Sequence, residues 1–231
     1  TVKRNSYKTD SKSILGYGIP AFPNSISNGV SGMLSEEFKY FAKYESSCNY
    51  DQGFSSSDDY HALGYYQFDN RYDLQKFLKY CYQLDNNKYA CFEAYLSCSK
   101  ASLRNNKGLE KAWHTAYSND PKDFANKQDQ FEYDNYYIPI ENALKSLGID
   151  LSSRRDCIKG LVCGMANLFG NSGAKRLIKN SGITNDLGDK EFVTKLCDYL
   201  VSYCPKHYAY GKSYANRYKN EKNDCLRYIT N

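Results

Sequence analysis

Apolar residues recur at helical spacing along most of this chain, and one polar stretch interrupts them. Patterns with a period of about 3.6 residues predict amphipathic helices, and they cover residues 35–45, 72–85, 88–103, 108–118, 121–137, 139–147, 153–169, 173–180, 189–204 and 211–229. Residues 46–70 lack this period and predict a short, irregular β-hairpin. The pattern therefore predicts a mainly α fold with two helical lobes and a small hairpin at a cleft.

Cap residues support several of these helix limits. Asp120 before Pro121 predicts an N-cap followed by proline at the first helical position. The other candidate N-caps are Ser35, Ser152 and Asp189, and Gly148 is the predicted stop of the helix before it.

The first 31 residues differ in composition from the rest of the chain. They are rich in Ser, Gly, Asn, Lys and Pro, which predicts an arm or linker at 1–31 and a folded domain at 32–231. The chain begins at Thr1 without Met, so we expect a part of a longer parent chain. No signal peptide is visible, and the free thiols expected below indicate synthesis in the cytoplasm. No run of 18 apolar residues is present, so no membrane span is expected.

Charge and cysteine content narrow the possible partners. The net charge of +5 suits an anionic polymer such as cell wall and falls short of the dense basic patch of a nucleic-acid binder. The nine cysteines are an odd number and form no C-x-x-C pair, so we expect buried thiols rather than a disulfide framework or a metal site. No cofactor is expected.

Glu45 occupies an unusual place for an acid. It follows Phe38, Phe41 and Ala42 at the i, i+3, i+4, i+7 spacing of one helix face, so it falls on a stripe that is predicted to be buried. Cleavage of a glycosidic bond needs one carboxylic acid held protonated by an apolar site, and a second carboxylate in a more polar place. The candidates for the second carboxylate are Asp58, Asp59 and Asp69 in the polar segment.

Four stretches resemble known glycan-cleaving domains. Glu45-Ser46, Asp58 and LGYYQFDNR (63–71) resemble the active-site stretch of goose-type lysozymes and their transglycosylase relatives, with a G-x-x-Q-x-D pattern on a hairpin. The segments at 113–140, 161–183 and 214–229 are similar to chitosanase-like muralytic domains of phage endolysins, tail lysins and VgrG-linked secretion proteins. The chain departs from them at 168–170, where Leu-Phe-Gly stands in place of the frequent Gln-His-Gly.

The resemblance implies a role for each matched residue. Glu45 would be the general acid, and Asp58 would be the base or stabiliser with Asp59 as its rival. Asp69 would position water or sugar, and Gln67 would bond an N-acetyl or hydroxyl group. The candidate sugar-lining residues are His61, Tyr65 and Tyr66. Ordinary structural roles stay open: turns or caps for the aspartates, and bracing of the hairpin for Gln67.

The predicted function is that of a peptidoglycan hydrolase, an N-acetylmuramidase of the lysozyme-like class that acts at the bacterial cell wall. Two alternatives stay open. One is a lytic transglycosylase, for which one Glu suffices. The other is a catalytically inactive wall-binding module of a phage tail or secretion machine. Chitosan is disfavoured as a substrate because it is cationic, like this chain.

Overall fold

The computed structural model describes residues 30–231. Within them the chain forms two compact units, each with its own core. Unit 1 comprises Ser35–Tyr44 and Tyr133–Asn231, and unit 2 comprises residues 30–34 and Glu45–Glu132. The predicted mainly α class is confirmed. Almost all of the predicted 1–31 arm lies outside the described residues.

Helices account for most of the described residues. The α-helices are α1 (Glu36–Lys39), α2 (Leu74–Leu84), α3 (Lys107–Asn119), α4 (Pro121–Glu132), α5 (Ile138–Lys145), α6 (Asp156–Asn180), α7 (Asp189–His207) and α8 (Gly211–Thr230). Short 3₁₀ segments lie at Tyr40–Tyr44, Ser56–Asp58, Ala90–Tyr95 and Lys100–Leu103, and Tyr133–Tyr137 is π-helical. Among the described residues, no helix is both long and apolar enough to cross a bilayer.

The hairpin lies inside the polar stretch, as predicted. Strands β1 (Ala62–Leu63) and β2 (Phe68–Asp69) pair antiparallel, with Ala62 opposite Asp69. The turn between them depends on Gly64, whose φ is +79° and whose missing Cβ would lie 2.4 Å from a ring carbon of Trp113. Because both the left-handed backbone and the close ring exclude a side chain, only glycine fits here without strain.

Aromatic rings build the core of unit 2 beneath this hairpin. Phe68 of β2 stacks on Phe77 of α2 with ring centroids 4.6 Å apart, and Phe131 of α4 meets Phe68 edge-on at 5.3 Å. Trp113 is fully buried, packs edge-on against Phe124 at 4.8 Å, and donates its indole N–H to the Tyr50 carbonyl at 3.0 Å. These contacts hold β2 against α2 and α4, and so hold the polar segment in place.

Unit 1 is built from the long helices α6, α7 and α8, with α1 packed against α6. A Cβ on Gly160 would lie 2.1 Å from the Phe38 carbonyl oxygen, so glycine permits the close approach of α1 and α6. Helices are predicted at 153–169 and 173–180, and α6 breaks between these ranges, at Gly170, where φ is +74° and ψ is 166°.

A charged network is buried in unit 1. Glu221 of α8 accepts hydrogen bonds from the Tyr40 hydroxyl at 2.8 Å and from Arg217 Nε at 2.7 Å. Burial raises the pKa of the Glu221 carboxyl, although Arg217 and Tyr40 act in the opposite direction. The negative charge is therefore paired but still costly to keep inside the protein.

Several predicted limits need correction. The helix predicted at 88–103 is wrong: two 3₁₀ segments occupy it, and the Ser99 hydroxyl accepts from the Ser102 N–H to start the second. Ser152 is not an N-cap, because α6 begins at Asp156 and the Ser152 N–H instead bonds the Asp150 carboxylate. The Asp120 cap is confirmed by its bond from the Asp123 N–H at 3.1 Å.

All nine cysteines lie in the described residues, where the structure has them as thiols rather than as disulfides. Seven of the nine are buried, while Cys91 and Cys98 are partly exposed. The predicted burial of most cysteines is confirmed.

Candidate functional site

Glu45 is the first residue of the main segment of unit 2. Its side chain is only 3% exposed, and Phe38, Phe41 and Ala42 are buried as well. All four positions of the predicted stripe are thus buried. The residues before Glu45 form a 3₁₀ segment rather than a continued α-helix.

Asp58 and Asp69 are both buried and both act on one guanidinium. Arg71 donates from Nε to Asp69 Oδ1 at 3.0 Å and from Nη2 to Asp69 Oδ2 at 2.7 Å. Burial alone would lower the pKa of Arg71, but Asp69 and, more weakly, the charge of Asp58 raise it. Arg71, which sequence reasoning did not include in the site, therefore binds Asp69 directly and feels the charge of Asp58 more weakly.

Asp59 and His61 face a different environment. The Asp59 side chain is 68% exposed, and its carboxylate pairs with Arg104 Nη2 at 2.5 Å. His61 Nδ1 lies 2.7 Å from the side-chain oxygen of Asn70. Their predicted roles beside a sugar stay predictions. Because its ion pair lies at the surface, Asp59 is a weaker candidate than Asp58 for a carboxylate in a site from which water is excluded.

Tyr65, Tyr66 and Gln67 lie inside unit 2. The Tyr65 ring stacks on Tyr50 with centroids 4.3 Å apart, and the Tyr66 ring is 1% exposed. The Gln67 side-chain amide donates to the Gly64 carbonyl at 2.9 Å, which closes the hairpin turn. Sugar stacking by the two tyrosines stays a prediction, and it would require their covered rings to become accessible.

A further buried acid of unit 2 was missed by the sequence reasoning. Asp129 of α4 is fully buried; its Oδ1 accepts from the hydroxyls of Tyr50 and Tyr66 at 2.8 Å each, and its Oδ2 accepts from the Leu34 N–H at 2.9 Å. Burial, followed by the charge of Asp129, raises the pKa of Tyr66 well above its ordinary value. Asp129 shares its helix face with Ala125 at i−4, but Lys122 and Asn126 occupy the other stripe positions, so no apolar stripe like that of Glu45 precedes it.

Gln128, next to Asp129, joins three parts of unit 2. Its amide nitrogen donates to the Tyr50 carbonyl at 2.9 Å, and its amide oxygen accepts from the Tyr65 N–H at 3.0 Å. The loop after Glu45 and the hairpin turn are therefore both fixed to α4.

Together these observations define a class: a mainly helical domain whose hairpin-bearing unit holds several buried carboxyl groups. Residues 38–224 match the family described as type VI secretion system spike protein VgrG3-like, C-terminal, and because this match covers most of the chain, the chain belongs to that family. No curated protein matches the chain.

The family match corrects the resemblance drawn from the motifs. The assignment to a lysozyme-superfamily muralytic domain, with its endolysin and phage-tail-lysin associations, is wrong, since the matching family is one of secretion spike proteins. The structure accounts for the misleading pattern. Gly64 and Gln67 form the hairpin turn, and Asp69 binds Arg71. The residues of the G-x-x-Q-x-D pattern therefore have structural roles in the hairpin.

Proposed function

We propose that this chain works as a C-terminal module of a type VI secretion spike, joined to other domains of a longer parent chain. The single observation that supports this is the family match across residues 38–224. The parent chain is made in the cytoplasm, and the secretion machine then carries the module to the cell wall of a target bacterium.

Export is tested by tracking the parent protein, tagged beside this module, in its native strain. We expect it in the culture medium of the wild type and not in that of a strain whose secretion sheath is deleted. A cytoplasmic protein released by lysis should be followed in parallel. Equal amounts of the module in the two media, after correction for lysis, would contradict the proposal.

A second candidate function is cleavage of the glycan strands of the cell wall, with Glu45 as the general acid. Glu45 is only 3% exposed, which supports this role. A carboxyl group shielded from water can keep its proton near neutral pH, as a general acid must. The net charge of +5 favours an anionic glycan over a cationic one.

Asp58 is the best candidate for the second carboxylate. Its charge acts on Arg71, and a nearby guanidinium favours the ionised form of a carboxylate. Asp69 is engaged on both oxygens by Arg71, so its first role is to hold that guanidinium in place. Buried and close enough to influence Arg71, Asp58 is the candidate for a group that stabilises positive charge or activates water.

Cleavage is tested with purified cell walls and the Glu45→Gln variant, with Glu93→Gln as the matched control because Glu93 is an exposed acid of the same unit. We expect Glu45→Gln to lose about 10²–10⁴-fold in rate while Glu93→Gln stays active. Anhydro ends among the products would indicate transglycosylation, and new reducing ends would indicate hydrolysis. No cleavage by the wild type would leave an inactive spike module as the function.

A further inference from the structure

Two thiols from different helices of unit 1 lie opposite one another. Cys157 is in the first turn of α6, and Cys225 lies near the end of α8. The Cys157 thiol points to the Cys225 carbonyl oxygen at 3.8 Å, and the Cys225 thiol points to the Cys157 carbonyl oxygen at 3.6 Å. Both residues are fully buried.

These two reciprocal contacts indicate how the main chains of Cys157 and Cys225 are placed. Each sulfur reaches the main chain of the other residue, so the two main chains must run side by side at this point. A disulfide needs Cα atoms about 4.4–6.8 Å apart and Cβ atoms that face each other. Burial raises the pKa of the Cys225 thiol well above its ordinary value, and its hydrogen-bonding contact with Cys157 raises it further, which is consistent with adjacent sulfur atoms.

The two cysteine pairs that are seven residues apart in the sequence lack this arrangement. Cys197 and Cys204 lie seven residues apart on α7. Their separation along the helix axis is therefore roughly 10 Å, which is beyond the reach of a disulfide. Cys91 and Cys98 are the partly exposed thiols, and both belong to unit 2. They are the positions where an added reagent would form mixed disulfides first.

We propose that Cys157 and Cys225 are a redox-sensitive pair that closes into a disulfide when the chain meets a disulfide oxidant. One cysteine thiolate attacks a sulfur of the oxidant and releases the first reduced thiol. The second thiolate then attacks the resulting mixed disulfide and releases the second. The two cysteines lose two electrons and two protons, and the oxidant becomes two thiols.

Access to the pair comes from the end of α8. Cys225 lies within the last two turns of that helix, which ends at Thr230, and helix ends open locally at low free-energy cost. The resting pair is buried, and burial raises the pKa of the Cys225 thiol, so oxidation is slow until this end opens. Once formed, the bond ties the start of α6 to the end of α8 and closes a loop of 68 residues.

The test uses the whole chain, incubated first with a dithiol reductant and then with oxidised glutathione. Peptide mapping after trypsin should find residues 156–159 linked to residues 223–227, with the mass of the pair reduced by two hydrogens. The cross-link should raise Tm by on the order of 10 °C, and dithiothreitol should reverse both changes. Cys157→Ser should lose the cross-link and the shift, while the Cys197→Ser control should keep both.

The wild-type map alone decides the proposal if Cys157→Ser fails to fold. Glutathione attached only at Cys91 and Cys98, with the peptides of Cys157 and Cys225 still carrying thiols, would overturn it. A cross-link that joins Cys225 to a different cysteine would overturn it as well. This outcome does not depend on secretion or on glycan cleavage, because it concerns only the sulfur atoms of unit 1.

Discussion

Replacing Asp129 by asparagine should strongly destabilise unit 2. The carboxylate accepts three hydrogen bonds, from Tyr50, Tyr66 and the Leu34 N–H, at a fully buried position. Asparagine has nearly the same shape but no charge and only one acceptor oxygen. Whichever way its amide is turned, either the part-buried Leu34 N–H or the two buried tyrosine hydroxyls lose their acceptor.

The size of the effect follows from these bonds. Turning two charge-assisted bonds into neutral ones costs about 1–1.5 kcal/mol each, and leaving a buried donor without an acceptor costs about 1–3 kcal/mol. The expected loss is therefore about 3–6 kcal/mol, a large part of the usual stability of a domain. Tyr66→Phe removes one of the donors and should cost less, about 1.5–3 kcal/mol.

The assay is urea unfolding followed by fluorescence. Trp113 is the single tryptophan of the chain and is buried in unit 2, so its emission reports on the unit that contains Asp129. Asp59→Asn is the matched control, since its side chain is 68% exposed and its surface ion pair should change stability by less than about 1 kcal/mol. An Asp129→Asn protein within about 1 kcal/mol of the wild type, with an unchanged urea dependence, would refute the reasoning.

Four further predictions concern single positions. Gly64→Ala should lower the free energy of unfolding by roughly 2–4 kcal/mol in thermal melts. The left-handed backbone strains the alanine, and its Cβ would lie 2.4 Å from the Trp113 ring. Gly148→Ala has the same φ of +79° but open space around its Cβ, so only the strain of about 1 kcal/mol should remain. Burial raises the pKa of Glu221 in the folded protein above its unfolded pKa of about 4.3, so the free energy of unfolding should fall as pH rises through this range. Urea unfolding at a series of pH values should show this fall in the wild type and not in Glu221→Gln. On cell walls, Asp58→Asn should lose about 10²-fold in rate or more while Asp59→Asn changes little; a reversed order would exclude Asp58 as the second carboxylate.

Periodicity was informative where a helix has one buried face. α3, α4 and α8 begin within one residue of their predicted starts, because their apolar stripes are regular. Asn106 and Asp120 also cap the first two of these helices. Periodicity failed at 88–103, where two 3₁₀ segments and the Ser99 cap replace one helix. Aromatic residues in such short segments reach the core without a regular repeat, so their spacing imitates a helix that does not form.

The candidate site shows the same mixture of success and failure. The rule that an acid on an apolar stripe is buried holds for Glu45. It does not find Asp129, because Lys122 and Asn126 stand at the i−7 and i−3 positions of its helix face. This rule does not predict contacts between segments that are distant in the sequence. No local pattern indicates that the Asp129 carboxylate meets Tyr50 and Tyr66, because folding brings together residues 63 or more positions apart.

The hairpin motif sets a limit on what activity measurements on it can reveal. Gly64, Gln67 and Asp69 each have a structural task, so substitutions at these positions will lower any activity by disturbing the turn or by releasing Arg71. Loss of activity there cannot separate a catalytic role from a structural one. Asp58 lies before β1 and outside the turn. A folded Asp58→Asn protein, compared with Glu45→Gln at equal stability, is therefore the variant that tests whether this spike-family domain performs acid–base chemistry.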